Sequence, residues 1–256
     1  MKTTFHGESD EPDDASSGAV MLQRWVERPD GHLELQEKPL TLEDYLDPQL
    51  EDKLTQGRPH SDVCRVLAEL LSRHFQPDED VIVLQDVKHL FGPGLPGPSP
   101  DISVILGARN KEFSTFDAVE QGVFPSFVIE VISPFDARVR RMDEVDKVEL
   151  YQRVGIPEYL LVDMPRRATG YRFRIKGYRL GPGRRYQAIE PDGQGRILSE
   201  ITQLRFGASP DGQRIEIFVA GTGERLLSPL EIEAARETAE EELKRLRAEI
   251  ERLKKP

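Results

Sequence analysis

Four short apolar runs, Asp80–Val87, Asp101–Leu106, Ser126–Ile132 and Glu158–Val162, constrain this chain most. Each is strand-length and too short to be a buried helix. A helical pattern over 137–154 separates the third from the fourth, and Gly155 with Pro157 supplies its stop signal. Pro59 to Phe75 carries apolar residues at Val63, Val66, Leu67, Leu70, Leu71 and Phe75, the stripe of an amphipathic helix. Beyond Met164 the signals change to hairpins, punctuated by Gly181-Pro182-Gly183, Pro191-Asp192-Gly193 and Pro210-Asp211-Gly212. The order of elements implies an α/β or α+β domain with a mixed central sheet flanked by helices.

Upstream, Met21–Glu27 and His32–Glu37 flank Pro29-Asp30-Gly31 as a hairpin, and Thr41 with Asp44 marks a helix start. Residues 1–18 hold one Lys against five acids and few apolar side chains, so an acidic disordered tail is expected there. The domain then spans 19–227. From 228 to 256, Leu243, Leu246, Ile250 and Leu253 follow coiled-coil spacing, which predicts a C-terminal helix that forms a homodimer with a second copy or else packs back on the domain.

At 256 residues the chain can bury roughly 70–75% of its unfolded surface, so it needs no disulfide or structural metal to fold. Its single cysteine, Cys64, excludes a disulfide scaffold and fits a reducing compartment. No apolar run approaches a membrane span, and the acidic N-terminus lacks a signal-peptide core; a cytoplasmic protein is expected. The net charge of −11 argues against a protein that coats nucleic acid generally. Yet Met164 to Tyr186 holds eight cations and no acid. Within it Tyr171, Phe173 and Ile175 alternate with Arg172, Arg174 and Lys176, an apolar face backed by a cationic one. That cationic face is either solvated surface or a phosphate-backbone contact.

Four tempting signals fail. Gly92-Pro93-Gly94-Leu95-Pro96-Gly97 matches a dinucleotide fingerprint, but its prolines remove amide donors and forbid a helix start. The five histidines show no pair at ligand spacing, which speaks against a zinc site. Cys64 falls on the apolar stripe of its helix, and Ser133, followed by Pro134, sits in no nucleophile elbow.

Two acids stand where acids are costly. Asp101 opens a strand directly after Pro100, and Glu130 interrupts the apolar run Phe127–Ile132. A buried carboxylate needs a counter-charge or a metal. A structural arginine such as Arg138 or Arg140 would satisfy Glu130. Alternatively, two neighbouring strands present both acids to one divalent cation such as Mg²⁺.

At these residues the chain resembles the Uma-type restriction endonucleases of the PD-(D/E)XK nuclease superfamily. The resemblance rests on Pro100-Asp101-Ile102-Ser103-Val104, Val128-Ile129-Glu130-Val131-Ile132-Ser133-Pro134, Asp143-x-x-x-Lys147-x-x-x-Tyr151 and Gly155 through Asp163, and covers about 20–227. It implies a restriction-endonuclease-like fold and Mg²⁺- (or Mn²⁺-) dependent hydrolysis of DNA. Asp101, Glu130 and the Val131 carbonyl would hold the metal. The superfamily lysine position is Ile132 here; the Uma-type pattern instead places a lysine on the following helix, which implies the catalytic role for Lys147. Asp143, Lys147 and Tyr151 share one face of that helix. Arg138, Arg140 and Arg141, with Arg172, Arg174 and Lys176, would meet DNA phosphates. Glu69 is the candidate for a first-helix acid, although its spacing does not single it out. Two other readings stay open: a nuclease fold that binds nucleic acid without cutting, and a dimeric interaction protein built around the terminal helix.

Overall fold

The computed structural model describes residues 21–49, 52–54, 58–108, 114–132, 137–167 and 170–253. The expected tail at 1–18 and Ser133-Pro134 lie outside the described residues. The architecture is a mixed α+β fold around a six-stranded sheet. In space its strands run Tyr186–Ile189, Arg174–Leu180, Glu158–Asp163, Phe127–Ile132, Ile102–Leu106 and Val81–Gln85, so each strand neighbours its predecessor in sequence. One neighbouring pair is parallel, Phe127–Ile132 with Glu158–Asp163; the others are antiparallel. A parallel pair needs a crossover, and the helical segment 137–154 supplies it.

Both parallel strands are buried at every residue, which explains why they read as continuous apolar runs rather than alternating ones. On one face Phe127, Ile129 and Val131 pack against the first long helix, Arg58–Phe75, through Cys64, Leu67 and Leu71. On the other face Val128 and Ile132 pack with Tyr151, Ile156 and Tyr159. Glu130 shares that second face by strand periodicity. A three-stranded sheet (Ile197–Ser199, Leu204–Ala208, Ile215–Val219) extends the first core with Leu204, Phe206 and Ile217.

The crossover is continuous but not uniform: Ala137–Arg141 is α-helical, Met142–Asp146 is a π-turn, and Lys147–Val154 is α-helical again. The wider turn ends where the Lys147 N–H donates to the Met142 carbonyl. Gly155, at φ 93°, caps the helix in the left-handed region and donates its N–H to Tyr151 O at 2.9 Å. The hairpin expected at the start is present, Met21–Glu27 against Leu33–Pro39. Thr41 and Asp44 form a full capping box on helix Leu42–Leu46. The Pro-Gly stretch 92–100 contains neither helix nor strand.

The basic segment is not one strand. Strands Gly170–Tyr171 and Arg174–Leu180 are separated by Arg172 and Phe173, whose N–H groups donate to the Pro165 and Gly212 carbonyls. The side chains nonetheless alternate as expected: Tyr171, Phe173 and Ile175 join the core, while Arg172, Arg174 and Lys176 are exposed. Among the described residues no helix is long and apolar enough to cross a membrane.

Candidate active site

Asp101 enters the site from the residue just before strand Ile102–Leu106. Its carboxylate accepts the Val131 backbone N–H at 2.7 Å and lies 3.2 Å from His60 Nε2. Asp101 is thereby locked to the Glu130 strand by backbone, and to the first long helix by an imidazole. Burial opposes its ionisation, but the His60 and Lys147 charges and the Val131 N–H hold its carboxyl below the usual range. His60 in turn is raised: burial disfavours the imidazolium, and the Asp101 charge outweighs that. The residue that faces Asp101 from this helix is a histidine, not Glu69, which sits further along and lines a surface groove with Arg225 and Leu230.

Glu130 is fully buried, whereas Asp101 keeps 7% exposure, so Asp101 is the carboxylate with access to solvent. Tyr151 donates its hydroxyl to Glu130 Oε1 at 2.6 Å. Lys147 Nζ stands 2.8 Å from Glu130 Oε2 and 3.3 Å from Asp143 Oδ1. The Glu130 contact is an ion pair out of line for a hydrogen bond, and Oε2 has no hydrogen-bond partner. Tyr45 donates to Asp143 Oδ1 at 2.6 Å and puts its ring 4.5 Å from the ammonium. Tyr159 donates to the Asp143 carbonyl at 3.1 Å.

Two buried carboxyls therefore share one ammonium. Burial raises Glu130, and the Asp101 and Asp143 charges add to this against the pull of Lys147. Burial likewise raises Asp143, with Lys147 and the Tyr45 hydroxyl opposing. Lys147 is well above its ordinary value; burial works against the ammonium, but Glu130 and Asp143 overcome it. Lys147 is thus a cation at neutral pH, and the acids around it are crowded. An acid excess of this kind, with one carboxylate oxygen lacking a directed donor, suits a divalent cation.

The structure brings Asp101, Glu130 and Lys147 together, with Asp143 and Tyr151 beside them. For Val131 the contact seen is its N–H to Asp101. Ile132 is buried in the core on the Glu130 side of the sheet. Glu130 is paired with Lys147 and Tyr151, not with an arginine. Arg140, expected to reach phosphate, has acidic partners: its guanidinium lies 2.8 Å from Asp163 and 3.9 Å from Glu144. The Arg138 side chain lies outside what is described. Lys176 has a counter-charge in Glu144 at 3.0 Å, and Arg179 has two, Glu158 at 2.7 Å and Glu200 at 2.8 Å. The segment that lacks acids in sequence thus acquires them in space. Among the described residues no such pairing is seen for Arg172 and Arg174, the other exposed cations of that face.

His60, Tyr45 and Asp86 escaped the sequence reading. His60, Cys64 and Asp101 offer nitrogen, sulfur and oxygen donors within 4.8 Å of one another, so the histidine found its partner on a different element, 41 residues away. Its signal was a histidine at the start of a helix whose other stripe positions are apolar. Cys64 lies 3.6 Å from His60 Nδ1, and burial pushes its thiol far above the ordinary range. Asp86, in the left-handed region at φ 52°, directs its N–H toward the Pro100 and Asp101 carbonyls.

A family model described as "Putative restriction endonuclease" (Uma2) matches residues 30–247. No curated protein matches the chain. Among solved structures, a putative nuclease belonging to DUF820 from Anabaena variabilis is similar, with 18% identity and a TM-score of 0.39; the match covers 61% of this chain and 88% of that one.

Proposed function

The chain belongs to the Uma2 restriction-endonuclease family, and from that membership we propose that it hydrolyses DNA phosphodiester bonds with a divalent cation, Mg²⁺ or Mn²⁺. The observation that carries this reading is the buried set Asp101, Glu130 and Lys147 on three adjoining elements.

Asp101 and Glu130 would hold the cation, with His60 beside Asp101; when bound, such an ion polarises the scissile phosphate and lowers the pKa of an attacking water. The two carboxylates suit either ion. Lys147 keeps a positive charge where negative charge develops on the attacked phosphate and on the incoming oxygen. It needs no reorganisation to do so, because Tyr45, Asp143 and Glu130 already hold its ammonium. Tyr151 orients Glu130 through its hydroxyl. Arg172 and Arg174 would take phosphates of the duplex flank, with Lys176 once it leaves Glu144. A cytoplasmic location is part of the same proposal, supported by the single, unpaired cysteine.

The test is cleavage of supercoiled plasmid by the full chain with Mg²⁺, with Mn²⁺ and with EDTA, against Glu130→Gln. Cleavage that needs the metal and is lost in the variant is expected. DNA binding without metal-dependent cleavage in the wild type would replace this reading with a non-cutting nuclease fold.

A further inference from the structure

The terminal helix Pro229–Leu253 leaves the domain from a fixed base. Ser228 and Glu231 cap each other: the Glu231 carboxylate accepts the Ser228 N–H at 2.9 Å, and the Ser228 hydroxyl accepts the Glu231 N–H at 3.3 Å. Arg225 pairs with Glu231 at 2.8 Å, and Leu226 packs against the core. Further along, the helix has no domain beneath it. Leu243, Leu246 and Ile250 are 48–50% exposed and Leu253 is 74% exposed. Four large apolar side chains in one row, left open at the end of an anchored helix, want a cover.

Their spacing says what shape that cover has. The row alternates steps of three and four, and it extends backward to Ile232 as a heptad with Arg236, Leu243 and Ile250 at a and Ile232, Ala239, Leu246 and Leu253 at d. The flanking charges say how the cover is oriented. Glu242 falls at g and Arg247 at the following e. In a parallel, in-register pair, g of one helix faces the next e of the other, so Glu242 meets Arg247 twice by symmetry. In an antiparallel pair g faces g and e faces e, so Glu242 meets Glu249 while Glu240 meets Arg247, and the repulsion offsets the attraction. Leucine at d with isoleucine at an a position favours two strands, and one polar a residue, Arg236, favours a single register.

We propose that a second copy of this chain covers the seam, in a parallel two-stranded coiled coil. This does not depend on the nuclease reading. The charge pattern makes the occupant self-complementary, and the anchored base keeps the seam from folding back.

Light scattering on the full chain, through a dilution series, tests it. The expected mass is twice 29.1 kDa, falling to 29.1 kDa in Leu246→Glu. Circular dichroism should be unchanged apart from this helix, since Leu246 touches nothing in the domain core. Glu242→Arg should weaken the dimer about fivefold, and adding Arg247→Glu should restore it. Leu253→Cys should form an interchain disulfide on oxidation, because d residues face each other only in a parallel, in-register pair; the buried Cys64 leaves the wild type uncrosslinked. A wild type of 29.1 kDa at every concentration overturns the proposal, as does a dimer that survives Leu246→Glu. A dimer in which Leu253→Cys does not crosslink, or which Glu242→Arg strengthens, overturns the parallel arrangement.

Discussion

Lys147 holds its ammonium 2.8 Å from Glu130 Oε2, although the lysine lies on the crossover helix and the glutamate in the strand before it. The crossover packs on the sheet face that carries Glu130 and Ile132, which brings its lysine to the Glu130 carboxylate. The Asp143 carboxyl is on the other side of the same ammonium at 3.3 Å. Lys147 therefore does two things: it places positive charge at the site, and it neutralises a buried acid pair.

Lys147→Ala separates these. Cleavage should fall roughly 10²–10³-fold, the size of one preorganised transition-state donor. The metal-free protein should also lose about 3–5 kcal/mol, because two buried acids lose their shared partner. Adding Asp143→Asn should recover much of that stability without recovering cleavage. Urea titration and single-turnover cleavage of both variants check this; restored cleavage in the double variant would show that Lys147 acts only by holding the fold.

Asp101 is the more fragile acid. It lies against His60 and accepts a backbone N–H, so Asp101→Ala strands both and should destabilise by about 3 kcal/mol or more. Asp101→Asn keeps an acceptor for Val131 and should cost less while still abolishing metal-dependent cleavage. Thermal melts of the two side by side, with metal-dependence assays, decide it. Equal melting temperatures would mean that the Val131 and His60 contacts do not support the fold.

His89 makes the protein acid-sensitive independently of the site. It is buried, Nδ1 lies 2.6 Å from the Val87 carbonyl and Nε2 3.0 Å from Ser103 Oγ, and burial lowers its pKa from 6.5 to about 4. The unfolded chain therefore binds a proton between those pH values that the folded chain does not. Stability contributed by neutral His89 is complete above pH 6.5 and declines by about 3 kcal/mol as pH falls to 4. His89→Gln should flatten this part of the stability profile in chemical denaturation; an unchanged slope would assign the acid sensitivity to other groups.

The basic face yields a graded result. Arg172 and Arg174 are exposed, whereas Lys176 spends its charge on Glu144. Arg172→Ala and Arg174→Ala should each reduce the slope of log affinity against log salt by about 0.9, and Lys176→Ala by less. Affinity should drop equally for unrelated DNA sequences. Fluorescence anisotropy across a salt series measures both; slopes unaltered by Arg172→Ala and Arg174→Ala would leave this face as solvated surface.

Much of the fold was legible in order. Strand-length apolar runs and the helical stripe over 59–75 report burial, and burial follows from local pattern: period two, period 3.6, or an unbroken run where both faces are covered. Asp101 and Glu130 were legible for the opposite reason, since a charge inside an apolar run is an energetic exception that needs a partner. Lys147 was reached through family resemblance, because its spacing to Asp143 suits an ordinary surface pair equally well.

What the sequence by itself determined was which segments are buried, where helices start and stop, and which acids had to be compensated. Only the tertiary structure decided who compensates them. Tyr45 and His60 come from helices 98 and 41 residues from Asp143 and Asp101, and Glu144 from the crossover and Glu158 from the neighbouring strand neutralise Lys176 and Arg179. Burial is a property of a segment and leaves a periodic trace along the chain. Ion pairing is a property of two side chains within a few ångströms, and the chain carries no trace of that distance until the crossover helix is laid on the sheet.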